Sequence, residues 1–143
     1  MIEIVRAMPG SDALEACFKL RLAVFVAEQN VPEEEELDEL DAVAVHVLAL
    51  YSGEPAGTAR AVEKMPGVWK IGRVAVAAKF RKYGIGKAVM QGIETQLPGA
   101  AFVLDAQTHA IGFYEKLGYA AEGPEFMDAG IPHRLMRKAA SAP

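Results

Sequence analysis

Cysteine is nearly absent from this chain, where Cys17 stands alone among 143 residues. One thiol cannot close an intrachain disulfide or build a multi-cysteine zinc site, so the cytosol is the expected compartment. Long apolar runs are missing too. None approaches the roughly 20 residues needed to cross a bilayer, and Met1-Ile2-Glu3-Ile4-Val5-Arg6 lacks the basic start of a signal peptide. Neither membrane insertion nor secretion is expected. The chain also lacks a basic excess, with a net charge of −4, which argues against broad nucleic-acid binding. The three histidines, His46, His109 and His133, are scattered without matching carboxylate spacing, and no metal site is expected.

What is present suits one compact domain over 1–143: 52% hydrophobic residues, 24% charged and 8% aromatic. Residues 139–143 read as a frayed tail. Seven acids (Glu33, Glu34, Glu35, Glu36, Asp38, Glu39, Asp41) fall between positions 33 and 41, so the remainder carries −4 + 7 = +3. That leaves room for one local basic site. The acidic run itself reads as a solvated loop, with attraction of a cationic acceptor as the alternative.

Ile2 to Val5 forms a first strand. Pro9-Gly10-Ser11-Asp12 breaks it and caps a helix whose apolar positions, Leu14, Cys17, Phe18, Val24 and Phe25, carry it to about Glu28. Cys17 lies on that apolar stripe, where a buried, inert thiol is expected. Val43 to Tyr51 is apolar on both faces, as a central strand should be. Ala56 to Glu63 returns from it, and Val68 to Ala77 makes a third strand in succession, which predicts an antiparallel meander. Ile85, Ala88, Val89, Ile93 and Leu97 then mark an amphipathic helix stopped by Pro98-Gly99. Ala101 to Leu104 is a short buried strand, and strand, helix, strand in this order implies a right-handed parallel crossover. A second helix carries Ala110, Ile111, Tyr114 and Leu117, with Gly118 as its C-cap. Tyr119 to Glu122 and Arg134 to Lys138 supply two last strands.

The most informative segment is Arg81-Lys82-Tyr83-Gly84-Ile85-Gly86, placed where a strand feeds a helix. Backbone N–H groups at a helix N-terminus lack partners, glycines let a phosphate approach them, and Lys79, Arg81, Lys82 and Lys87 add charge. A dinucleotide fingerprint would need Gly at Val89. A P-loop would need Gly at Arg81 and Ser or Thr at Ala88.

Arg81-x-x-Gly84-x-Gly86, following Val74-Ala75-Val76, resembles the acetyl-CoA signature of the GNAT superfamily of N-acetyltransferases. Phe113-Tyr114-Glu115-Lys116-Leu117-Gly118-Tyr119 is similar to the second motif of that superfamily, and Phe25-Val26-x-Glu28-Gln29-x-Val31-Pro32 resembles its ElaA-like branch. One departure is Gln107, where many members carry Asn. The resemblance implies an α/β (α+β) fold: a central mixed, mostly antiparallel sheet of about six to seven strands flanked by helices, with a parallel β-α-β cofactor unit.

It further implies acetyl-CoA as donor, with Val74, Ala75 and Val76 pairing with the pantetheine arm between splayed strands. Arg81, Lys82, Tyr83, Gly84, Ile85, Gly86 and Lys87 would hold the pyrophosphate, with Gln107 nearby. An amine attacks the thioester directly, the Val76 N–H stabilises the oxyanion and Tyr114 protonates the departing thiolate. A packed core residue is the structural alternative for Tyr114. His46 and His133 are candidates to line the acceptor pocket, although a buried structural histidine explains His46 equally simply. His109 is expected on the surface. The acceptor, a small-molecule or peptide amine, stays open, as do the general base, the acyl-chain length and pairing into a homodimer. A non-catalytic acyl-CoA-binding sensor of the same fold is the competing reading.

Overall fold

In the computed structural model, which describes residues 1–140, the chain runs through seven strands and four α-helices. The order is β1 (Ile2–Ala7), α1 (Asp12–Arg21), a π-helical stretch (Leu22–Glu28), α2 (Glu33–Glu36), a 3-10 turn (Glu39–Ala42), β2 (Val45–Tyr51), β3 (Glu54–Met65) and β4 (Val68–Val76). A second 3-10 turn (Ala78–Phe80), α3 (Ile85–Gln96), β5 (Ala101–Gln107), a third 3-10 turn (Thr108–Ala110), α4 (Ile111–Glu115), β6 (Ala120–Asp128) and β7 (Ile131–Lys138) follow. The strands make one mixed sheet in the order β1-β2-β3-β4-β5-β7-β6. No helix among the described residues is long and apolar enough to cross a membrane. By its contacts the chain divides into two compact units, Met1–Val62 with Arg73–Pro98, and Glu63–Gly72 with the chain from Gly99 onward.

In the first unit, β2 pairs antiparallel with β1, from Ile2↔Tyr51 to Ala7↔His46, and with β3, from Val45↔Ala61 to Tyr51↔Glu54. Val45 to Ala49 are all buried, which is why this strand is apolar on both faces. Ser11 caps α1 by accepting from the Leu14 N–H at 3.1 Å. The helix then buries Cys17 and Leu20 against Ala7 and Leu48. Cys17 is 0% exposed and burial pushes its thiol up, so the side chain acts as a small hydrophobe. On α3, Ile85, Val89, Met90, Gly92 and Ile93 form the buried stripe. A Cβ at Gly92 would lie 2.8 Å from Ile4 Cγ2, so the missing side chain lets α3 approach β1.

In the second unit, β4 and β5 pair in parallel from Val68↔Ala101 to Ile71↔Leu104. β7 lies antiparallel to β5 from Phe102↔Lys138 to Gln107↔His133, and β6 pairs antiparallel with β7. Ala129 and Gly130 both take positive φ, 52° and 76°, and close the β6–β7 hairpin tightly. Both strands are longer than their apolar residues suggest, because β6 is exposed along most of its length and has little apolar alternation to read. Gly118 ends the α4 region at φ 97° as the sequence predicts. Ala139 and Ala140 are exposed and outside any element, while the last three positions of the expected tail lie outside the described residues.

The helix expected to reach Glu28 does so, but its last seven residues are π-helical, with Val31 N–H reaching back to Phe25 O at 2.9 Å. Apolar spacing does not resolve this widening, since successive turns of the two helix types place similar residues inward.

The acidic run is not the solvated loop that its charge suggests. Six side chains of alternating charge close into a ring. Arg73 Nε lies 3.0 Å from Glu36 Oε2 and Arg21 Nε lies 2.9 Å from Glu36 Oε1. Arg21 Nη1 lies 2.7 Å from Asp41 Oδ1, which is 2.8 Å from Arg60 Nη1. Arg60 Nη1 is also 2.8 Å from Asp38 Oδ1, and Asp38 Oδ2 returns to Arg73 Nη2 at 3.3 Å. The side chains of Arg21 and Glu36 are 1% and 2% exposed. His46, 3% exposed, donates from Nε2 to the Asp41 carbonyl at 3.0 Å, while its Nδ1 has no partner. Burial pushes the His46 ring down, which keeps it neutral between the guanidiniums.

Burial also works to raise Asp41, but hydrogen bonds from Arg21 and Arg60 outweigh it and hold its carboxyl at about 2. The Arg60 hydrogen bond lowers Asp38 likewise. Burial pushes Glu36 up, against the hydrogen-bonded Arg21 and the nearby Arg73.

Arg21→Ala strands the Glu36 carboxylate in the interior, and a loss of about 3–5 kcal/mol is expected from urea unfolding. A loss under about 1 kcal/mol would mean that the ring rearranges at little cost. The ring also sets an acid limit. The Asp41 value lies below the ordinary 3.8, so its contribution is complete above about pH 4 and disappears as the pH falls towards about 2. Asp38 follows the same sense, whereas the raised Glu36 contributes below the ordinary 4.5 and loses that contribution as the pH rises. Urea midpoints should therefore fall steeply between about pH 4 and 2, and less steeply in Asp41→Asn.

Candidate active site

The connection from β4 to α3 brings the predicted turn together within the first unit. Val74, Ala75 and Val76 end β4, and Ala75 is 2% exposed. The Ala77 N–H donates to Ala56 O at 2.8 Å, which ties the end of β4 to β3. Phe80 is buried, and the half-buried Tyr51 packs 5.4 Å from its ring and 4.9 Å from that of Tyr83. This aromatic trio fixes the loop on the end of β2.

Gly84 then takes a left-handed conformation, φ 78° and ψ 17°, as the N-cap of α3. It carries no side chain to cap the helix, and the first intrahelical bond runs from Ala88 N–H to Gly84 O at 3.1 Å. The N–H groups of Ile85, Gly86 and Lys87 therefore lack intrahelical acceptors. A Cβ at Gly84 would meet nothing within 4 Å, so the space before the turn is open. Such a turn can bind an anion by its amides and by the helix dipole.

The four basic side chains near it are not equivalent. Lys79 is paired with Glu54. Arg81 is exposed, yet its Nε donates to Val76 O at 3.1 Å and its Nη2 lies 2.7 Å from Glu28 Oε2. Arg81 therefore braces the turn against the end of β4 and the end of the π-helical stretch. Lys82 and Lys87 are exposed.

A second close approach supports the turn. A Cβ at Gly57 on β3 would lie 2.5 Å from Ile85 Cγ2 and 3.2 Å from Ala75 O. Glycine at this position lets the first turn of α3 and the end of β4 pack directly on β3.

The remaining candidates lie in the second unit or in the core. Tyr114 on α4 is 9% exposed, with Phe113 4.9 Å and Tyr119 6.2 Å away by ring centroids. Burial pushes its phenol up to about 12, so the hydroxyl keeps its proton at neutral pH. Gln107 ends β5, and its Oε1 lies 2.7 Å from His109 Nε2. His109 itself is exposed.

His133 is 8% exposed and stacks on Phe126 at 5.8 Å. Its Nδ1 lies 2.7 Å from Ile131 O. A carbonyl only accepts, so Nδ1 carries the proton in that bond. His46, with its ring closed among core residues, offers an acceptor little surface.

Residues 13–140 match the family model for the acetyltransferase (GNAT) domain. The chain belongs to the GNAT acetyltransferase family. YjcF of Bacillus subtilis, named as an N-acetyltransferase, is 42% identical over 134 residues, which cover 90% of this chain and 94% of that protein. ElaA of Escherichia coli superposes with a TM-score of 0.83 at 29% identity, over 96% of this chain and 99% of that one. An acyl-CoA N-acyltransferase of Pseudomonas aeruginosa also gives 0.83 at 29%, over 97% and 100%. This acetyltransferase is thus an acyltransferase enzyme of the fold that its motifs suggest.

Several residues around this acetyltransferase's turn escape a motif-based reading. Arg60 interrupts a strand of small residues, Ala59-Arg60-Ala61, and Arg21 falls four positions after Cys17 on the buried stripe of α1. A charge at an inward position calls for a counter-charge, and the acidic run was available to supply three. Gly57 carries no comparable signal, and Glu28 stands in a motif that does not mark Arg81 as its partner.

Gly84→Val forces a β-branched residue into a left-handed backbone, so a stability loss of about 1–2 kcal/mol is expected, with a smaller loss for Gly84→Asn. Affinity for acetyl-CoA, read by calorimetry, should disappear in folded Gly84→Val. Undiminished affinity there would place the pyrophosphate elsewhere.

Proposed function

We propose that the protein transfers the acetyl group of acetyl-CoA to a primary amine of a small molecule or peptide by direct attack, as one cytosolic N-acetyltransferase domain. The observation that carries this reading is the first turn of α3. Left-handed Gly84, the uncapped N–H groups of Ile85, Gly86 and Lys87, and the open space before them form a diphosphate cradle directly after a strand. The acyl-CoA N-acyltransferase of Pseudomonas aeruginosa, 29% identical over nearly its whole length, supports an acyl-CoA donor.

In this reading, Lys82 and Lys87 add charge at the pyrophosphate, and Val74 to Val76 present backbone groups to the pantetheine arm. The free-base amine attacks the thioester carbonyl, forming the C–N bond as the carbonyl π electrons move to oxygen. The Val76 N–H stabilises that oxyanion. Collapse breaks the C–S bond, and the thiolate takes the proton of the Tyr114 hydroxyl, which a value of about 12 keeps in place until that moment, while the proton shed by the acylated nitrogen passes through solvent and restores the phenol.

Incubation with acetyl-CoA and a panel of amines, reading released thiol, tests the reading. Turnover of at least one amine is expected, rising with pH as the amine loses its proton, with no falling limb up to roughly pH 10. Tyr114→Phe should lower turnover by about 10²- to 10⁴-fold and leave acetyl-CoA affinity unchanged. Binding of acetyl-CoA without transfer to any amine would favour the sensor, and near-normal turnover in Tyr114→Phe would remove that residue from the mechanism.

A further inference from the structure

The residue immediately before the strand segment Val74–Val76 is strained. Arg73 has φ 51°, a left-handed backbone that an L residue with a Cβ adopts only at a cost. It stands two positions beyond Ile71, the last β4 residue paired with β5. At this place the pairing with β5 no longer dictates the backbone, and glycine would be the low-strain choice. The strain is held by the side chain instead. Arg73 Nε donates to Glu36 O at 3.2 Å and meets Glu36 Oε2, while Nη2 donates to Glu35 O at 3.3 Å and meets Asp38 Oδ2.

Those partners are themselves immobilised. Glu36 and Asp38 are gripped by Arg21 on α1 and Arg60 on β3, and the Asp38 side chain also caps the turn that follows it, accepting from Leu40 N–H at 3.1 Å. A single left-handed residue changes the direction and facing of the strand that follows it. The conformation of residue 73 therefore sets which way the Val74 to Val76 backbone groups point.

We propose that Arg73 is a positioning residue: the charged ring locks it left-handed so that Val74–Val76 present their backbone groups to the pantetheine arm. The proposal rests on the acetyl-CoA reading above. The ring touches no reacting atom, and it acts through the strand alone. The ring and the pyrophosphate turn then contribute separately to one ligand, the ring through the arm and the turn through the phosphates.

The test is calorimetric titration of wild type, Arg73→Gly and Asp38→Asn with acetyl-CoA and with 3′-phosphoadenosine 5′-diphosphate, which has the pyrophosphate but no pantetheine. Glycine accepts the left-handed backbone, and Asn keeps the cap at position 38 without altering β4, so both variants should fold, as checked by thermal midpoint. Expected is a loss of about tenfold or more in acetyl-CoA affinity, with lower kcat, in both variants and unchanged affinity for the fragment. Ligand-free amide resonances of Val74–Val76 should also move in Asp38→Asn. Wild-type acetyl-CoA affinity and kcat in both variants would overturn the proposal, as would parallel loss of both ligands, which would signal general loosening. If wild type binds acetyl-CoA no better than the fragment, the arm has no site on the strand. The pantetheine role of Val74–Val76 then falls together with this inference.

Discussion

Three guanidiniums and three carboxylates, of which Arg21 and Glu36 lie fully buried and Arg73 and Asp38 partly so, depend on one another, and much of the first unit is arranged to satisfy them. None could be buried alone, since an unpaired interior charge costs several kcal/mol. Arg21 comes from α1, Arg60 from β3 and Arg73 from β4, while Glu36, Asp38 and Asp41 come from one short segment. Their distances of 2.7–3.3 Å are met only when these elements stand in their native places. Replacing such a ring with well-packed apolar residues can be neutral or stabilising, so raw stability is a poor account of its presence. Its value is that few alternative packings satisfy six charges at once.

The ring leaves four acids of the run, Glu33, Glu34, Glu35 and Glu39, facing solvent, so the charge imbalance of the sequence survives only at the surface. On the other side of the same strand, Arg81 repeats the device on a smaller scale with Glu28 and the Val76 carbonyl. The three residues Val74 to Val76 are therefore bracketed by an arginine at each end, one half-buried in a network and one at the surface. The pair at the surface is easily exchanged with solvent or a ligand, whereas the half-buried arginine is held on the buried Glu36.

Much of this arrangement was legible in the residues. The order of most strands and helices, the family and the glycine turn before α3 follow from apolar period, turn residues and three short motifs, because these are local rules read over a few positions. The ring was not legible, because its pairing joins residues 15 to 37 positions apart in sequence, and no local rule distinguishes Glu36 from the exposed Glu35 beside it. The π-helical widening after Arg21 and the length of β6 were hidden for another reason. Apolar spacing tolerates either helix type, and an exposed strand has no apolar face to betray it. Tyr114 stands out by its motif, while the burial that keeps its proton in place belongs to the fold.

The missing side chain at Gly57 has a kinetic meaning. With Ile85 and Ala75 resting directly on the β3 backbone, the first turn of α3 has no room to slide, and in the proposed reading its amides are already aimed when the pyrophosphate arrives. The entropy of ordering that turn is spent during folding, once per molecule, rather than at every encounter with ligand. A catalyst that must load and release a large, flexible donor in each cycle gains from having that part of its grip permanently set.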